Sequence, residues 1–119
     1  MVAALDSLKA RPVAKGRRVA ILGDMLELGD EAPSYHTGLA KHLEGIDGVY
    51  CVGPLMHHLY VLLPKDKGMG WHEDPATLEP QQVASLIRGG DVVVVKGSKK
   101  MFWVNKFVPR LVAAMQARP

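Results

Sequence analysis

Residues 17–29 of this 119-residue chain, RRVAILGDMLELG, decide its fold, because an apolar strand here runs into a loop with two acids. Residues 19–22 form a continuous apolar run, as expected of a strand covered on both faces in a parallel sheet. Gly23 lets the backbone turn without a Cβ penalty, and Asp24 follows where open α/β sheets place their ligands. Asp24 is therefore the first candidate site residue. The alternative is that its carboxylate only caps the following turn.

Apolar segments alternate with helical patterns along the rest of the chain. We predict strands at residues 19–22, 49–52, 68–72 and 92–95, and helices at 2–10, 35–43, 55–63, 77–88 and 99–116. Such alternation is typical of a three-layer, Rossmann-like α/β domain with a mainly parallel sheet, for which we predict strand order 3-2-1-4. Residues 1–119 would form one domain, with an N-terminal helix within 1–12 and the core at 17–116. In that strand order, the residues after strands one and four share one cleft.

A second motif, Lys96-Gly97-Ser98, follows the fourth predicted strand and leads into the last helix. Gly97 permits close approach of the backbone, Ser98 can cap the helix, and the helix N–H groups together with Lys96 would attract an anion. The alternative is a simple N-cap beside a solvated lysine. The spacing is not that of a Walker loop, and no G-x-G-x-x-G follows a strand, so dinucleotide binding has no positive support from the sequence.

The histidines do not predict a metal site. His57 and His58 are adjacent, and His36 and His42 are six residues apart, so neither pair projects from a common helix face. His36 has separate interest, because it lies early in the helix after the Asp24 loop. It either faces the cleft or fixes that loop by a hydrogen bond.

Composition bounds the function further. The net charge of +3 favours anionic ligands, but the basic residues are not interleaved with aromatics as in a nucleic-acid surface. No apolar run is long enough to cross a membrane or to act as a signal peptide, so a cytoplasmic protein is the default expectation. The single Cys51 lies in an apolar run, which predicts a buried, inert thiol without a disulfide.

Three segments resemble the C-terminal domain of the Mur ligases: LGDMLELG at 22–29, PSYHTGLAKHL at 33–43 and DVVVVKGS at 91–98. They occur in the family's order and at compatible separation, and the resemblance covers nearly the whole chain. It is strongest to the members that add D-alanyl-D-alanine to UDP-N-acetylmuramoyl-tripeptide in peptidoglycan precursor synthesis. The sequence KKMFW at 99–103 departs from the small and basic residues usual in the family, which affects the substrate-side assignments more than the fold.

The resemblance implies an ADP-forming ligase that makes an acyl phosphate from ATP and then lets an amine attack it. In the family, ATP and Mg²⁺ are bound mainly by a central domain that precedes this one in the same chain. The C-terminal domain brings the amine component and closes over ATP, which excludes water from the acyl phosphate. By resemblance, the residues of the cleft facing substrate or ATP would be Asp24, His36, Lys96, Gly97, Ser98 and Lys99.

The chain by itself has no motif for catalysis, so we expect it to fold but to be inactive alone, with no metal or cofactor of its own. Asp24→Ala and Lys96→Ala are expected to lower kcat of the full-length ligase with little change in the fold. The alternative function is a stand-alone Rossmann-like module that binds an anion or a nucleotide without catalysis. A G-T-x-G-K-[ST] loop upstream in the same reading frame would favour the ligase.

Overall fold

The computed structural model describes residues 2–11, 16–25, 32–97 and 103–116, and of residues 32–33 and 103–106 only the backbone. The described strands are β1 (Arg18–Gly23), β2 (Gly48–Val52), β3 (Gly68–His72) and β4 (Val92–Lys96). The described α-helices are α1 (Val2–Ala10), α2 (Ala32–Gly38), α3 (His57–Tyr60), α4 (Pro80–Ala84) and α5 (Trp103–Gln116). All four predicted strands are confirmed to within one residue at each end.

The sheet has the order β3-β2-β1-β4, and every neighbouring pair is parallel. This confirms the predicted strand order and places the third strand at an edge. Parallel neighbours require crossover connections, which the intervening helices provide. In the register, Leu22 of β1 lies between Cys51 of β2 and Lys96 of β4. The carboxyl ends of the three strands therefore lie at the same level.

Side chains of the central strands alternate between two apolar clusters, as the period of two in a strand requires. One cluster packs the sheet against α1, α2 and α3; its buried members are Leu5, Leu8, Ala20, Leu22, Leu39, Leu43, Ile46, Val49, Cys51, Met56 and Leu59. The other packs the sheet against α4 and α5; its buried members are Ile21, Tyr50, Val52, Leu78, Val83, Ala84, Ile87, Phe107 and Leu111. The domain thus has three layers, which explains why β1 is apolar from Val19 to Leu22 and β2 from Val49 to Val52.

The helices differ from the prediction in length. The helix predicted at 55–63 is a single α-turn, α3, flanked by turns with i→i+3 bonds such as Leu62 N–H to the Leu59 carbonyl, 3.0 Å. The helix predicted at 77–88 divides at Glu79, which is extended because Pro80 follows it, so α4 begins at Pro80 and ends at Ala84. The predicted end of this helix, at residue 88, therefore lies four residues beyond the end of α4.

Helix α2 begins at Ala32, three residues before the predicted start at residue 35, and the chain continues as a 3₁₀ turn over Leu39–His42. Ser34 therefore lies inside α2 and is not the N-cap that a serine just before residue 35 would suggest. Three apolar side chains of the predicted helices are exposed by more than a third: Leu62, Leu86 and Val112. Leu62 and Leu86 lie beyond the ends of α3 and α4, so the facing expected from the longer predicted helices does not hold for them. None of the described helices is long and apolar enough to cross a membrane.

The amino ends of β1 and β4 are joined by an ion pair. Arg17 donates from Nη2 to Asp91 Oδ2 at 2.8 Å and from its backbone N–H to Asp91 Oδ1 at 2.9 Å. The side chain of Asp91 is only 1% exposed, and the backbone N–H of Arg88 donates to it as well. This pair fixes β1 to its neighbour β4 at the end of the sheet opposite the candidate site.

Candidate functional site

The described parts of both sequence motifs lie at the carboxyl end of the sheet. Asp24 follows β1, and its backbone N–H donates to the Val52 carbonyl at 3.2 Å, which extends the pairing of β1 with β2. Lys96 ends β4 directly beside Leu22 of β1. The prediction that the two motifs share one end of the sheet is therefore confirmed for Asp24, Lys96 and Gly97. Ser98 and Lys99 lie outside the described residues.

Asp24 is completely buried, and both of its carboxylate oxygens are engaged. Oδ2 accepts from the backbone N–H of Leu55 at 3.0 Å, and Oδ1 accepts from that of Met56 at 2.7 Å. These are the otherwise unpaired amides that open the turn into α3. Asp24 is thus a cap, but it caps the turn after β2, about 30 residues along the chain, and not the turn that follows it in sequence.

The buried position sets the protonation behaviour of Asp24. Burial raises the pKa of this carboxyl above its ordinary value, although the N–H groups of Leu55 and Met56 and the nearby imidazoles of His36 and His58 lower it. A carboxylate whose oxygens already accept two hydrogen bonds inside the protein is a poor ligand for Mg²⁺. Among the described residues, no three His, Cys, Asp or Glu side chains form a group that could hold a metal ion.

Gly53, at the end of β2, makes room for the Asp24 carboxylate. Its φ of +107° is unfavourable for any residue with a side chain, and an ideal Cβ at this position would be 2.5 Å from Asp24 Cγ. The carbonyl of Gly53 accepts from Trp71 Nε1 at 2.8 Å, and the Trp71 ring packs against the imidazole of His57 with centroids 4.5 Å apart. A Gly-Pro pair after a strand indicates a turn, but nothing in the local sequence identifies Trp71 as the partner of Gly53.

His36 is fully buried, and its Nε2 accepts the backbone N–H of Met25 at 3.0 Å. Of the two roles considered for this residue, the structure contains the hydrogen bond that fixes the chain after β1. Its ring meets that of Tyr35 edge-on, with centroids 5.8 Å apart. The structure thus brings His36 and Asp24 together at the end of β1, inside the domain.

Lys96 and Gly97 are half-buried. Lys96 borders a groove of about 390 Å³ between α1 and the outer edge of β4, whose other lining residues are Ala4, Ser7, Leu8, Arg11, Val92, Val93 and Val94. Within the described ranges, Lys96 Nζ forms no hydrogen bond or ion pair. The carboxyl end of the sheet therefore combines a buried, internally satisfied acid with a lysine whose charge is open to an anionic ligand.

Comparison with known proteins gives a consistent result. A family model described as "Mur ligase, glutamate ligase domain" matches residues 1–99. A UDP-N-acetylmuramoyl-tripeptide–D-alanyl-D-alanine ligase from Rickettsia prowazekii (strain Madrid E) is 30% identical over 101 residues, which cover 83% of this chain and 22% of that protein.

Among solved structures, the chain is similar to MurF ligase from Thermotoga maritima in complex with ADP. The TM-score is 0.74 and the identity 24%, over 98% of this chain and 26% of that one. At this identity the likeness shows the fold, a Rossmann-like domain. The chain spans about a quarter or less of the length of both relatives.

Proposed function

Because the chain belongs to the Mur ligase C-terminal domain family, we propose that it is the substrate-binding and closure domain of an ATP-dependent, ADP-forming ligase. The ligase would add D-alanyl-D-alanine to UDP-N-acetylmuramoyl-tripeptide, a step in cytoplasmic synthesis of peptidoglycan precursors. The observation that carries the proposal is the pairing of Leu22 with Lys96, which sets the two motifs side by side at the carboxyl end of a parallel sheet.

In this proposal the domain contributes position and charge. ATP and Mg²⁺ would be held mainly by a central domain preceding this one in the same protein, and ATP would supply the phosphoryl group that activates the substrate carboxylate. Lys96 would stabilise a phosphate or carboxylate across the cleft, since its ammonium is not neutralised by a described neighbour. Gly97, Ser98 and Lys99 are proposed to line the same side. Closure of the domain would bring these groups to the reacting atoms only when both substrates are bound.

The proposed role of Asp24 differs from that implied by resemblance alone. Both carboxylate oxygens accept backbone N–H groups, which supports a role in holding the turn at Leu55 and Met56 in place. Asp24 would then act on the cleft through the backbone, without touching the nucleotide. The expectation that Asp24→Ala leaves the fold unchanged is revised accordingly, because two buried amides would lose their acceptors.

Two observations test this proposal. The reading frame that encodes the chain should contain a G-T-x-G-K-[ST] loop upstream, as the ligase requires and a stand-alone binding module does not. The purified full-length product should then join D-alanyl-D-alanine to UDP-N-acetylmuramoyl-tripeptide, detected as the mass of the pentapeptide precursor. D-Glutamate or D-alanine offered as the amine should give no product. Ligation of a single amino acid in place of the dipeptide would assign the chain to another activity within the family.

A further inference from the structure

We infer that His36 is a positioning residue for the proposed cleft, and that it acts by accepting the backbone N–H of Met25 through an unprotonated Nε2. The inference rests on the proposed function for its effect on catalysis. The hydrogen bond itself is a property of this chain and can be measured without any ligase activity.

The direction of the hydrogen bond fixes the state of the ring. A backbone N–H can only donate, so the Nε2 of His36, 3.0 Å from the Met25 nitrogen, must carry a lone pair. The proton of the neutral ring is therefore on Nδ1. The side chain is completely buried, so water does not compete for the Met25 amide at this point. His36 lies in α2, and the bond ties the exit of β1 to a helix eleven residues further along.

Consecutive residues after β1 are thus held by different helices. The side chain of Asp24 binds the amides of Leu55 and Met56 at the start of α3, while the backbone of Met25 binds His36 in α2. These contacts set the direction in which the chain leaves the sheet at the level of Lys96. Loss of the His36 contact would leave Asp24 in place but release the backbone immediately beyond it.

The contact requires the neutral ring, because an imidazolium donates from both nitrogens and has no acceptor. Among the described residues, the ionisable group beside this ring is Asp24 at the end of β1, which is itself in electrostatic contact with His58 on α3 and Cys51 on β2. Burial raises the pKa of the Cys51 thiol to about 12, so Cys51 stays neutral.

Substitution of His36 with glutamine keeps a hydrogen-bond acceptor and removes the ionisable ring. In His36→Gln, the side-chain carbonyl reaches about as far as Nε2 and accepts a hydrogen bond at any pH between 5 and 9. His36→Leu fills similar space without an acceptor. His42→Gln, the same chemical change on the following 3₁₀ turn, is the matched control.

The hydrogen bond is tested in the 119-residue chain by amide hydrogen exchange at Met25, with the imidazole tautomer read from nitrogen chemical shifts. We expect a protected Met25 amide and an Nδ1–H tautomer in the wild type, and protection within about threefold of it in His36→Gln. In His36→Leu, exchange at Met25 should rise by about tenfold or more. Equal exchange in wild type and His36→Leu, or an Nε2–H tautomer, would overturn the inference.

The positioning role is tested in the full-length gene product by steady-state kinetics at one fixed pH. His36→Leu should lower kcat by about tenfold or more, whereas His36→Gln, which keeps an acceptor for the Met25 N–H, and His42→Gln should stay within about threefold of the wild type. If His36→Leu fails to fold, His36→Asn takes its place, because its shorter side chain does not reach the Met25 amide. Wild-type kcat in the variant without this contact, or equal losses in His36→Gln and His36→Leu, would overturn the positioning role. A wild type without ligase activity would instead contradict the proposed function, while the exchange rates at Met25 would still decide the hydrogen bond.

Discussion

The carboxylate of Asp24 fills the space into which a side chain on Gly53 would project. An ideal Cβ on Gly53 would lie 2.5 Å from both Cγ and Oδ1 of Asp24, and the φ of Gly53 is +107°. Each residue therefore depends on the other: the buried acid requires a glycine opposite it, and the turn after Gly53 requires the acid as its cap.

Gly53→Ala should destabilise the domain by at least about 2 kcal/mol, because the methyl group overlaps Asp24 and the backbone conformation becomes strained. Gly38→Ala is the control, since a Cβ at Gly38 meets nothing within 4 Å. It should be neutral or stabilising by up to about 1 kcal/mol. Denaturant unfolding of the three proteins measures both values. Equal stability of Gly53→Ala and the wild type would show that the carboxylate is not where we place it.

Asp24→Asn should lower the free energy of unfolding by about 1 to 3 kcal/mol, because an amide offers one acceptor oxygen to the two N–H groups of Leu55 and Met56. Asp24→Ala should cost more, since it removes both acceptors and leaves a cavity. Asp66→Asn, on an exposed turn, is the matched control and should change stability by less than about 0.5 kcal/mol. An Asp24→Asn domain as stable as this control would refute the capping role.

The Arg17–Asp91 pair predicts a pH dependence of stability. Burial raises the pKa of Asp91, but hydrogen bonds from the Arg17 side chain and from the Arg88 and Arg17 amides outweigh it and lower the pKa from 3.8 to about 2. The resulting stabilisation, about 2 kcal/mol, is complete above pH 3.8 and is lost as the pH falls through about 2. Asp91→Asn should thus be less stable than the wild type at pH 7, and the difference should shrink between pH 4 and pH 2.

Acid titration of the remaining carboxyls is common to both proteins in that comparison. This includes Asp24, whose pKa is raised in the folded state. Its protonation therefore contributes to the free energy of unfolding at low pH, and this contribution is lost as the pH rises through the folded-state pKa. Asp6→Asn is a control, because Asp6 is 59% exposed in its pair with Lys9. A constant difference between Asp91→Asn and the wild type from pH 7 to pH 2 would contradict the assigned pair.

Lys96→Ala should lower kcat of the full-length ligase by roughly 30- to 1,000-fold, which corresponds to about 2 to 4 kcal/mol of transition-state stabilisation. The fold should tolerate the change, because Nζ of Lys96 has no partner among the described residues. Lys65→Ala, at an exposed position between α3 and β3, should retain wild-type activity. Steady-state kinetics with both substrates measures the effect. An unchanged kcat in Lys96→Ala would show that Lys96 does not stabilise the transition state in the cleft.

The strands could be predicted from sequence because their residues strongly favour buried β-structure. Residues 92–95 are four consecutive valines, and residues 19–22 of β1 and 49–52 of β2 are apolar on both faces, as a two-sided sheet demands. Helix lengths were less predictable, because tertiary contacts outweigh local periodicity in short segments. At α3, the Asp24 carboxylate and the positive φ of Gly53 impose a tight turn that apolar spacing alone does not reveal.

The sequence predicted that the candidate site lies at the carboxyl end of the sheet, but it did not predict the hydrogen-bond partners of the site residues. The order of the strands places Asp24 and Lys96 at one end of the sheet, and the sequence pattern is sufficient to infer that order. The partners of Asp24 are 31 and 32 residues away, and those of Gly53 lie on β3. They depend on the register between strands, which no local motif encodes. For His36, the sequence offered two roles, and only the three-dimensional arrangement distinguishes a buried acceptor from a cleft-facing side chain.

We propose that this chain is the closing domain of a ligase whose catalytic machinery for ATP lies mainly in another domain. The most direct measurement is phosphate release from ATP by the full-length gene product and, in parallel, by the purified 119-residue chain, each with UDP-N-acetylmuramoyl-tripeptide and D-alanyl-D-alanine. We expect release by the full-length protein only when both substrates are present, and none by the 119-residue chain alone. Substrate-dependent release by the 119-residue chain, or no release by the folded full-length protein, would contradict this expectation.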